Sequence, residues 1–158
     1  MNYIIRKLKQ DEVKFLDTFL YEAIFIPEGV KAPPRDITKQ PELQLFITNF
    51  GSNKSDICYV AESDNTIIGA VWVRIMNTYG HIDDETPSFA ISLLKEYRNY
   101  GIGTKLMQTM LNELKMQGYP QASLSVQKEN YAFRMYKKLG FEIVDENEEE
   151  YIMVCKLG

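Results

Sequence analysis

The sequence predicts an α/β domain built on a central sheet of mixed strand direction. Short runs of β-branched and aromatic residues and longer amphipathic runs follow one another in the order β α α β β β α β α β β. Because strands follow one another directly in two places, this is not the regular βαβ alternation of a doubly wound dinucleotide-binding fold. We therefore expect about seven strands in one sheet, flanked by about four helices.

The length and composition are those of an ordinary globular domain. The 158 residues are 45% hydrophobic and 25% charged, which predicts one domain over residues 1–158. A net charge of −4 without a basic stripe argues against a general nucleic-acid binder. No apolar run is long enough for a signal peptide or a transmembrane helix. The expectation is a cytoplasmic protein with no nucleic-acid or membrane partner.

The predicted strands include two hairpins. The first turns at Ser63-Asp64-Asn65, where polar residues favour a tight turn, and the second turns through the acidic segment Glu146–Glu150. The seven predicted strands are Tyr3–Lys7, Ile57–Glu62, Thr66–Ile75, Ser88–Leu94, Ala122–Val126, Phe141–Asp145 and Tyr151–Lys156.

The predicted helices carry recognisable end signals. Pro41 fits the first turn of the second helix, Gly118 ends the third, and Asn130 is a plausible N-cap of the fourth. The four predicted helices are Asp11–Phe25, Pro41–Phe50, Ile102–Gln117 and Tyr131–Lys138. Two connections are irregular, the proline-rich segment Pro27–Pro41 and the acidic segment Gly80–Pro87.

The cysteine and histidine content predicts that the protein holds no metal. Cys58 and Cys155 both fall in predicted strands without metal-ligand spacing, and His81 is the sole histidine. We interpret the two cysteines as buried structural thiols, the alternatives being a catalytic nucleophile or a disulfide.

The segment Arg98–Thr104 is the most informative part of the chain. It contains Gly101 and Gly103 and joins a predicted strand to the long third helix. Glycines allow left-handed backbone and a close approach to a ligand. The helix that follows directs unpaired N–H groups and a positive dipole end at the same place. Such a turn suits a phosphate or pyrophosphate.

Two common phosphate-binding loops are excluded by their residues. A dinucleotide-binding fingerprint requires a third glycine where this chain has Leu106. A P-loop requires Gly-x4-Gly-Lys-Ser/Thr, which is absent. The turn therefore belongs to another class of phosphate site.

Two segments resemble the GCN5-related N-acetyltransferase (GNAT) family. Arg98-Asn-Tyr-Gly101-Ile-Gly103 matches the family's pyrophosphate loop, Arg/Gln-x-x-Gly-x-Gly/Ala. The segment from Asn130 through Tyr136 to Gly140-Phe141 resembles its later motif. The resemblance covers Ile57–Leu157 well, whereas Met1–Phe50 matches only in outline. It implies a mostly antiparallel sheet, an acetyl-CoA-binding core at 57–157 and an acceptor-side segment at 1–50.

The resemblance also implies how acetyl-CoA is bound. Ile91 and Leu93 would pair by backbone with the pantetheine arm, like an added strand. Arg98 would either contact the pyrophosphate or brace the loop, and Asn130 would be a pantetheine contact or only a helix cap. The implied acetyl-CoA-binding residues are Ile91, Leu93, Arg98, Asn99, Tyr100, Gly101, Ile102, Gly103, Thr104 and Asn130.

Acetyl transfer from a thioester to an amine requires an acid and a base. Tyr136 matches the position of the family's proton-donating tyrosine, the alternative being a core tyrosine. Some family members have a glutamate that acts as the general base, and this chain has Ser125 at that position. The candidate base is therefore Glu85, upstream of the fourth strand. A solvated loop explains Glu85 as well. His81 is the alternative base, but we interpret it as a surface residue or as one that makes a local hydrogen bond.

The sequence thus predicts an acetyl-CoA-dependent N-acetyltransferase that uses no metal. A primary amine, on a small molecule or a peptide, would attack the thioester directly in a ternary complex. The alternative is a non-catalytic acyl-CoA-binding sensor or interaction module of the same fold. Edge strands of the sheet offer a route to a homodimer. The sequence does not identify the acceptor.

Overall fold

The fold is one sheet with helices on both faces. The computed structural model describes residues 2–76 and 81–158. Within these ranges seven strands align in the order β1-β2-β3-β4-β5-β7-β6. Their bounds are β1 Ile4–Lys7, β2 Ile57–Ser63, β3 Thr66–Arg74, β4 Ser88–Leu93, β5 Gln121–Gln127, β6 Phe141–Glu146 and β7 Glu150–Lys156. The described α-helices are α1 Leu16–Glu22, α2 Pro41–Gln44, α3 Ile102–Met116 and α4 Ala132–Lys138.

The strand directions confirm the predicted mixed, mostly antiparallel α/β fold. The pairs β1–β2, β2–β3, β3–β4, β5–β7 and β6–β7 are antiparallel, and only β4–β5 is parallel among the described strands. The first hairpin turns at Asp64 and Asn65, whose φ angles are 50° and 61°. Left-handed backbone at both residues is typical of a two-residue hairpin loop, as the polar turn residues predict.

The main core lies between the sheet and α3. The helix carries one buried row, made of Ile102, Leu106, Met110 and Leu114. This row packs on inward-facing residues of the central strands, including Val71, Phe89, Leu124 and Met153. Burying such a row is what holds a helix of this length on a sheet. The packing fixes the N-terminus of α3 beside the end of β4.

A second core lies on the opposite face, under α1. Leu16, Phe19 and Leu20 of α1 pack against Trp72 and neighbouring residues of β2 and β3. The predicted helix Asp11–Phe25 was too long, because its first part is the 3₁₀ helix Gln10–Phe15. Glu12 holds that part in place by accepting from the Lys9 backbone N–H and from the guanidinium of Arg6.

The second helix is also shorter than predicted. Instead of reaching Phe50, α2 ends at Gln44 and the chain continues in turns. The reason is that side chains on β3 take the carbonyl groups that a longer helix would use. Trp72 donates to the carbonyl of Phe46 at 3.1 Å. Arg74 donates to the carbonyls of Leu45 and Thr48, and its buried ion pair with Asp56 measures 3.0 Å.

The two irregular connections differ in how far the structure describes them. The segment Pro27–Pro41 contains a short 3₁₀ helix at Arg35–Lys39. Gly80, the start of the acidic connection, lies outside the described residues. In the ranges that the structure covers, no helix is both long and apolar enough to cross a bilayer.

Candidate functional site

The sheet is split between β4 and β5. These parallel strands pair at Ser88 and Ser123, where the two hydroxyl oxygens lie 3.0 Å apart and the Ser123 N–H donates to the Pro87 carbonyl at 2.9 Å. No further residue pair joins the two strands in the part of the chain described here. The split is therefore closed at the beginning of both strands and open toward their carboxyl ends.

The backbone of β4 directs polar groups toward this split. The Leu94 N–H points to β3, since it donates to the Ile68 carbonyl at 2.9 Å, whereas the Pro87 carbonyl points to β5. Backbone direction alternates along a strand, so the N–H and C=O groups of Phe89, Ile91 and Leu93 face β5. Ile91 and Leu93, predicted to pair with an extended ligand, thus face the opening.

The glycine turn presents a run of unpaired N–H groups. The Arg98 N–H donates to the Lys95 carbonyl and the Lys105 N–H to the Gly101 carbonyl, at 3.3 and 3.2 Å. Between them, every backbone N–H from Asn99 to Thr104 lacks an acceptor within residues 2–76 and 81–158. Such a run at the start of a 15-residue helix has the donors and the dipole that an anion-binding turn requires.

Left-handed backbone shapes this turn. Asn99 has a φ of 69° and Gly101, the N-cap residue of α3, a φ of 82°. A Cβ atom added at Gly101 would meet no described atom within 4 Å. Because the protein leaves that side of the turn uncovered, a ligand can approach the backbone closely there.

Arg98 braces the turn from behind. Its Nε donates to the Leu93 carbonyl at 3.1 Å, which fixes the turn to the end of β4. Its Nη2 lies 3.2 Å from a carboxylate oxygen of Glu22 and 3.3 Å from the Glu22 carbonyl, at the end of α1. Of the two roles considered for Arg98, these contacts favour bracing. They also place Glu22 beside the turn.

The turn, the split and α4 meet at Gly103. A Cβ atom there would lie 3.8 Å from Leu93 Cδ1, 3.9 Å from Met135 Sδ and 4.0 Å from Ile91 Cδ1. Met135 precedes Tyr136 on α4. Segments far apart in the sequence are therefore brought into one place.

Tyr136 has a buried ring and a hydroxyl without a protein partner. Only 7% of the residue is exposed, and its ring packs edge-on against Phe141 at 6.0 Å. The Tyr136 hydroxyl makes no hydrogen bond to the described residues. Every fully buried side-chain oxygen in those residues has a hydrogen-bond partner, so the Tyr136 hydroxyl is not fully buried. The hydroxyl therefore reaches an accessible opening. Burial raises the pKa of Tyr136 to about 12, which keeps the phenol protonated.

The N-cap residue of α4 is Tyr131 rather than Asn130, because the helix begins one residue later than predicted. The Asn130 Oδ1 still accepts from the N–H of Ala132, the first residue of α4, at 2.9 Å. The side-chain NH₂ donates to no acceptor in the described part of the chain. Asn130 therefore binds the first turn of α4 through Oδ1 while retaining donors for a ligand.

Comparison with known proteins identifies the family. Residues 54–143, more than half of the chain, match the family model for the acetyltransferase (GNAT) domain. The chain belongs to the GNAT family. The matched segment contains β2 to β5, α3 and α4, and so includes the split, the glycine turn and Tyr136.

The GNAT chain also matches individual proteins. It is 34% identical over 100 residues to a probable N-acetyltransferase, san, of Drosophila melanogaster, covering 61% of this chain and 52% of that protein. It is 30% identical over 115 residues to an N-alpha-acetyltransferase of Sulfurisphaera tokodaii, covering 63% and 68% respectively. The chain thus spans about half the length of the Drosophila relative.

A solved structure shares the fold over its full length. The PaiA N-acetyltransferase of Thermoplasma acidophilum, determined in complex with coenzyme A, has a TM-score of 0.73 to this GNAT chain. The match covers 99% of both chains at 24% sequence identity. This agreement confirms the fold class.

The acidic residues before β4 lie away from the glycine turn. Glu85 is exposed and precedes Ser88, at the closed end of the split. Asp83 stabilises the local turn by accepting from the Glu85 N–H and the Thr86 hydroxyl, at 2.8 and 2.7 Å. The Thr86 hydrogen bond and the Glu85 N–H hold the pKa of Asp83 below its usual range. His81 contacts the exposed carboxylate of Asp84 at 3.3 Å, in keeping with a local role.

The cysteines have the structural character expected of them. Cys58 and Cys155 are both buried and neither is in a disulfide. Burial raises the pKa of both thiols, which opposes formation of a reactive thiolate. Among the residues that the structure describes, no cluster of His, Cys, Asp and Glu is arranged to hold a metal ion.

Gly69 is a site-forming residue that the sequence motifs do not reveal. It pairs with Leu93 across β3 and β4, and a Cβ atom there would lie 2.2 Å from Leu93 Cδ2 and 3.3 Å from the Ser92 carbonyl oxygen. The missing side chain makes room for Leu93 beside the split. A glycine within a strand is the available signal, since it often marks such a close approach.

We expect Gly69→Ala to displace the Leu93 side chain. The overlap should lower the free energy of unfolding by about 1–3 kcal/mol and weaken acetyl-CoA binding. Chemical denaturation and calorimetric titration measure the two effects. The matched control is Gly69→Ala in a Leu93→Ala background, where the clash is gone. Equal losses of stability in both backgrounds would show that Leu93 is not the cause.

Proposed function

We propose that this GNAT protein transfers an acetyl group from acetyl-CoA to a primary amine by direct attack in a ternary complex. The observation that carries the proposal is the run of unpaired N–H groups from Asn99 to Thr104 at the open end of a split sheet. A pyrophosphate satisfies those donors and the dipole of α3 together. An extended amide-bearing arm suits the outward-facing backbone of Ile91 and Leu93.

The proposed placement of acetyl-CoA uses three parts of the site. The pyrophosphate lies on the turn, the pantetheine arm enters the split, and the Asn130 amide hydrogens donate to that arm. The thioester then lies near the backbone of β4, where an outward-facing N–H can stabilise the oxyanion. The Ile91 N–H, which faces the split by strand alternation, can be this donor.

The proposed reaction couples three proton transfers to the exchange of a C–S bond for a C–N bond. An alkyl ammonium with a pKa near 10 loses a proton, and its nitrogen attacks the thioester carbonyl carbon. The nitrogen of the tetrahedral intermediate loses a second proton to solvent, and the intermediate collapses to the amide with cleavage of the C–S bond. Tyr136 donates its proton to the departing thiolate, whose conjugate acid has a pKa of about 8.5, and later regains a proton from solvent.

We propose Glu85 as the proton acceptor, acting through water, because it is a carboxylate just upstream of β4. Glu85→Gln should lower kcat/KM most at low pH. At high pH the amine is already partly deprotonated, so a base matters less there. The measurement is kcat/KM as a function of pH from 6 to 10. The control is Asp84→Asn, because Asp84 is a neighbouring carboxylate that is also exposed. A Glu85→Gln profile that matches the wild type would remove Glu85 from the mechanism.

Two-substrate kinetics test the proposed function. CoA release from acetyl-CoA is followed against a panel of polyamines, amino acids and peptides with free N-termini, and the acceptor product is identified by mass. Direct attack in a ternary complex predicts intersecting double-reciprocal plots. Parallel plots would indicate an acetyl-enzyme intermediate. No amine-dependent release with any acceptor would favour a non-catalytic acyl-CoA-binding module.

A further inference from the structure

On one face of the sheet, the strands on the β4 side of the split pack against α1. On that face Ser92 donates to the Phe19 carbonyl of α1 at 2.6 Å, and Ala90 packs with the α1 cluster. The strand residues in that cluster come from β2, β3 and β4 and, among the described residues, none comes from β5 or β7. Within the described residues, the apolar packing of α1 on this face therefore involves β2, β3 and β4.

Register places a carboxylate on this face beyond the split. Ser88, which is on the same face as Ala90, pairs with Ser123 of β5. Side chains alternate along a strand, so Ser125 and Gln127 share the face with Ser123. Gln127 pairs with Glu150 of β7, which therefore also lies on it.

Glu150 stands at the open end of the split. Gln127 is four residues along β5 from Ser123, which corresponds to about 13 Å from the closed end. The Gln127 side-chain amide donates to Glu150 Oε1 at 3.1 Å and so orients the carboxylate. The second carboxylate oxygen, Oε2, has no hydrogen-bond partner in the described residues.

Glu150 differs from the other partly buried carboxylates in lacking a cation. Glu12 and Glu62 share Arg6, Asp17 pairs with Arg35, Glu22 with Arg98, Asp56 with Arg74 and Glu113 with Lys7; these contacts measure 2.7 to 3.9 Å. Within residues 2–76 and 81–158, Glu150 is half-buried and has no ion pair, only the neutral amide of Gln127.

The charges around Glu150 do not compensate it. Glu149, next to it on the hairpin, carries the same sign, and the nearby Lys128 ammonium pairs with Glu146 and lies over the Tyr151 ring at 5.2 Å. Burial and the Glu149 charge raise the pKa of the Glu150 carboxyl. A half-buried carboxylate without a counter-charge is unfavourable by itself, and a bound cation relieves that cost.

We propose that Glu150 binds the ammonium group of the acceptor and selects cationic primary amines. The inference rests on the proposed function, because it concerns the acceptor of that reaction. The ammonium donates to Oε2 while Gln127 holds Oε1. The acceptor then lies beside Gln127 and Glu150 at the open end of the split, across from the backbone of β4. Glu150 is thus a specificity-determining residue.

The test compares Glu150→Gln with Glu149→Gln, the exposed neighbour on the same hairpin. The probes are the best alkylamine found for the wild type and para-toluidine, an aromatic amine that is uncharged near neutral pH. Loss of a charge-assisted hydrogen bond should raise the KM of the alkylamine by about ten- to hundred-fold. The KM of para-toluidine and the Kd of acetyl-CoA should stay within about two-fold, and Glu149→Gln should resemble the wild type.

The variant Glu150→Asp distinguishes an effect of the carboxylate charge on acceptor binding from an effect of the residue on folding. It keeps the carboxylate and should recover part of the alkylamine affinity, which a purely structural role for Glu150 would not predict. An unchanged alkylamine KM in Glu150→Gln, or a loss confined to kcat, would overturn the proposal. An equal rise in the KM of the alkylamine and of para-toluidine in Glu150→Gln would overturn it as well. So would an equal rise in the alkylamine KM in Glu149→Gln. If the wild type acetylates no amine, the proposed function fails first and this inference fails with it.

Discussion

Gly101→Val should abolish measurable binding of acetyl-CoA while the protein stays folded. Gly101 has a φ of 82°, which a β-branched residue rarely adopts. Holding valine there costs about 1–2 kcal/mol. Relaxing the strain would turn the N–H groups between Asn99 and Thr104 away from a common point. We expect the Kd, measured by calorimetric titration, to rise at least about a hundred-fold.

The chain supplies a matched control for this substitution. Gly118, at the other end of α3, has a φ of 89°, and a Cβ atom there also meets no described atom within 4 Å. Gly118→Val should therefore show a comparable fall in melting temperature, about 2–4 °C for each kcal/mol lost, with normal acetyl-CoA binding. Equal loss of binding in both variants would mean that destabilisation, rather than the turn, explains the result.

Tyr136→Phe should lower kcat by about a hundred-fold or more and change the Kd of acetyl-CoA by less than about two-fold. The hydroxyl makes no hydrogen bond to the described residues, so its removal leaves no partner unsatisfied and should not destabilise the fold. Stopped-flow or steady-state CoA release gives kcat, and titration gives Kd. Tyr119→Phe, at the far end of α3, is the control and should behave as the wild type.

The pH dependence supplies a second readout for Tyr136. Because burial raises the pKa of Tyr136 to about 12, the phenol keeps its proton above pH 10, where an ordinary tyrosine ionises. The wild-type kcat should therefore show no fall attributable to this group as the pH rises to about 10. Wild-type turnover in Tyr136→Phe would remove its role as the acid.

The sequence predicted the parts of the site that depend on local backbone chemistry. Gly101 and Gly103 at a strand–helix junction predicted an anion-binding turn, and the unpaired N–H groups from Asn99 to Thr104 have the geometry that such a turn requires. The element order predicted a mixed sheet because hydrophobic periodicity is a local property. The GNAT resemblance supplied Ile91 and Leu93, which face the split.

Features that depend on distant contacts were not predictable in this way. The helix α2 is shorter than its hydrophobic pattern suggests, because Trp72 and Arg74 bind carbonyl groups that lie far away in the sequence. The contact of Gly69 with Leu93 and the position of Glu150 beside Gln127 follow from strand register. Register is set by the assembled sheet and cannot be read from one strand alone.

Hydrogen–deuterium exchange with and without acetyl-CoA tests the central claim most directly, since it requires no knowledge of the acceptor. The central claim is that acetyl-CoA binds on the glycine turn and in the split beside β4. We predict slower exchange at the amides from Asn99 to Thr104 and at Ile91 and Leu93, with no change in β1, Ile4–Lys7. Protection absent from both segments at a saturating concentration of acetyl-CoA, or found only elsewhere in the chain, would contradict the account.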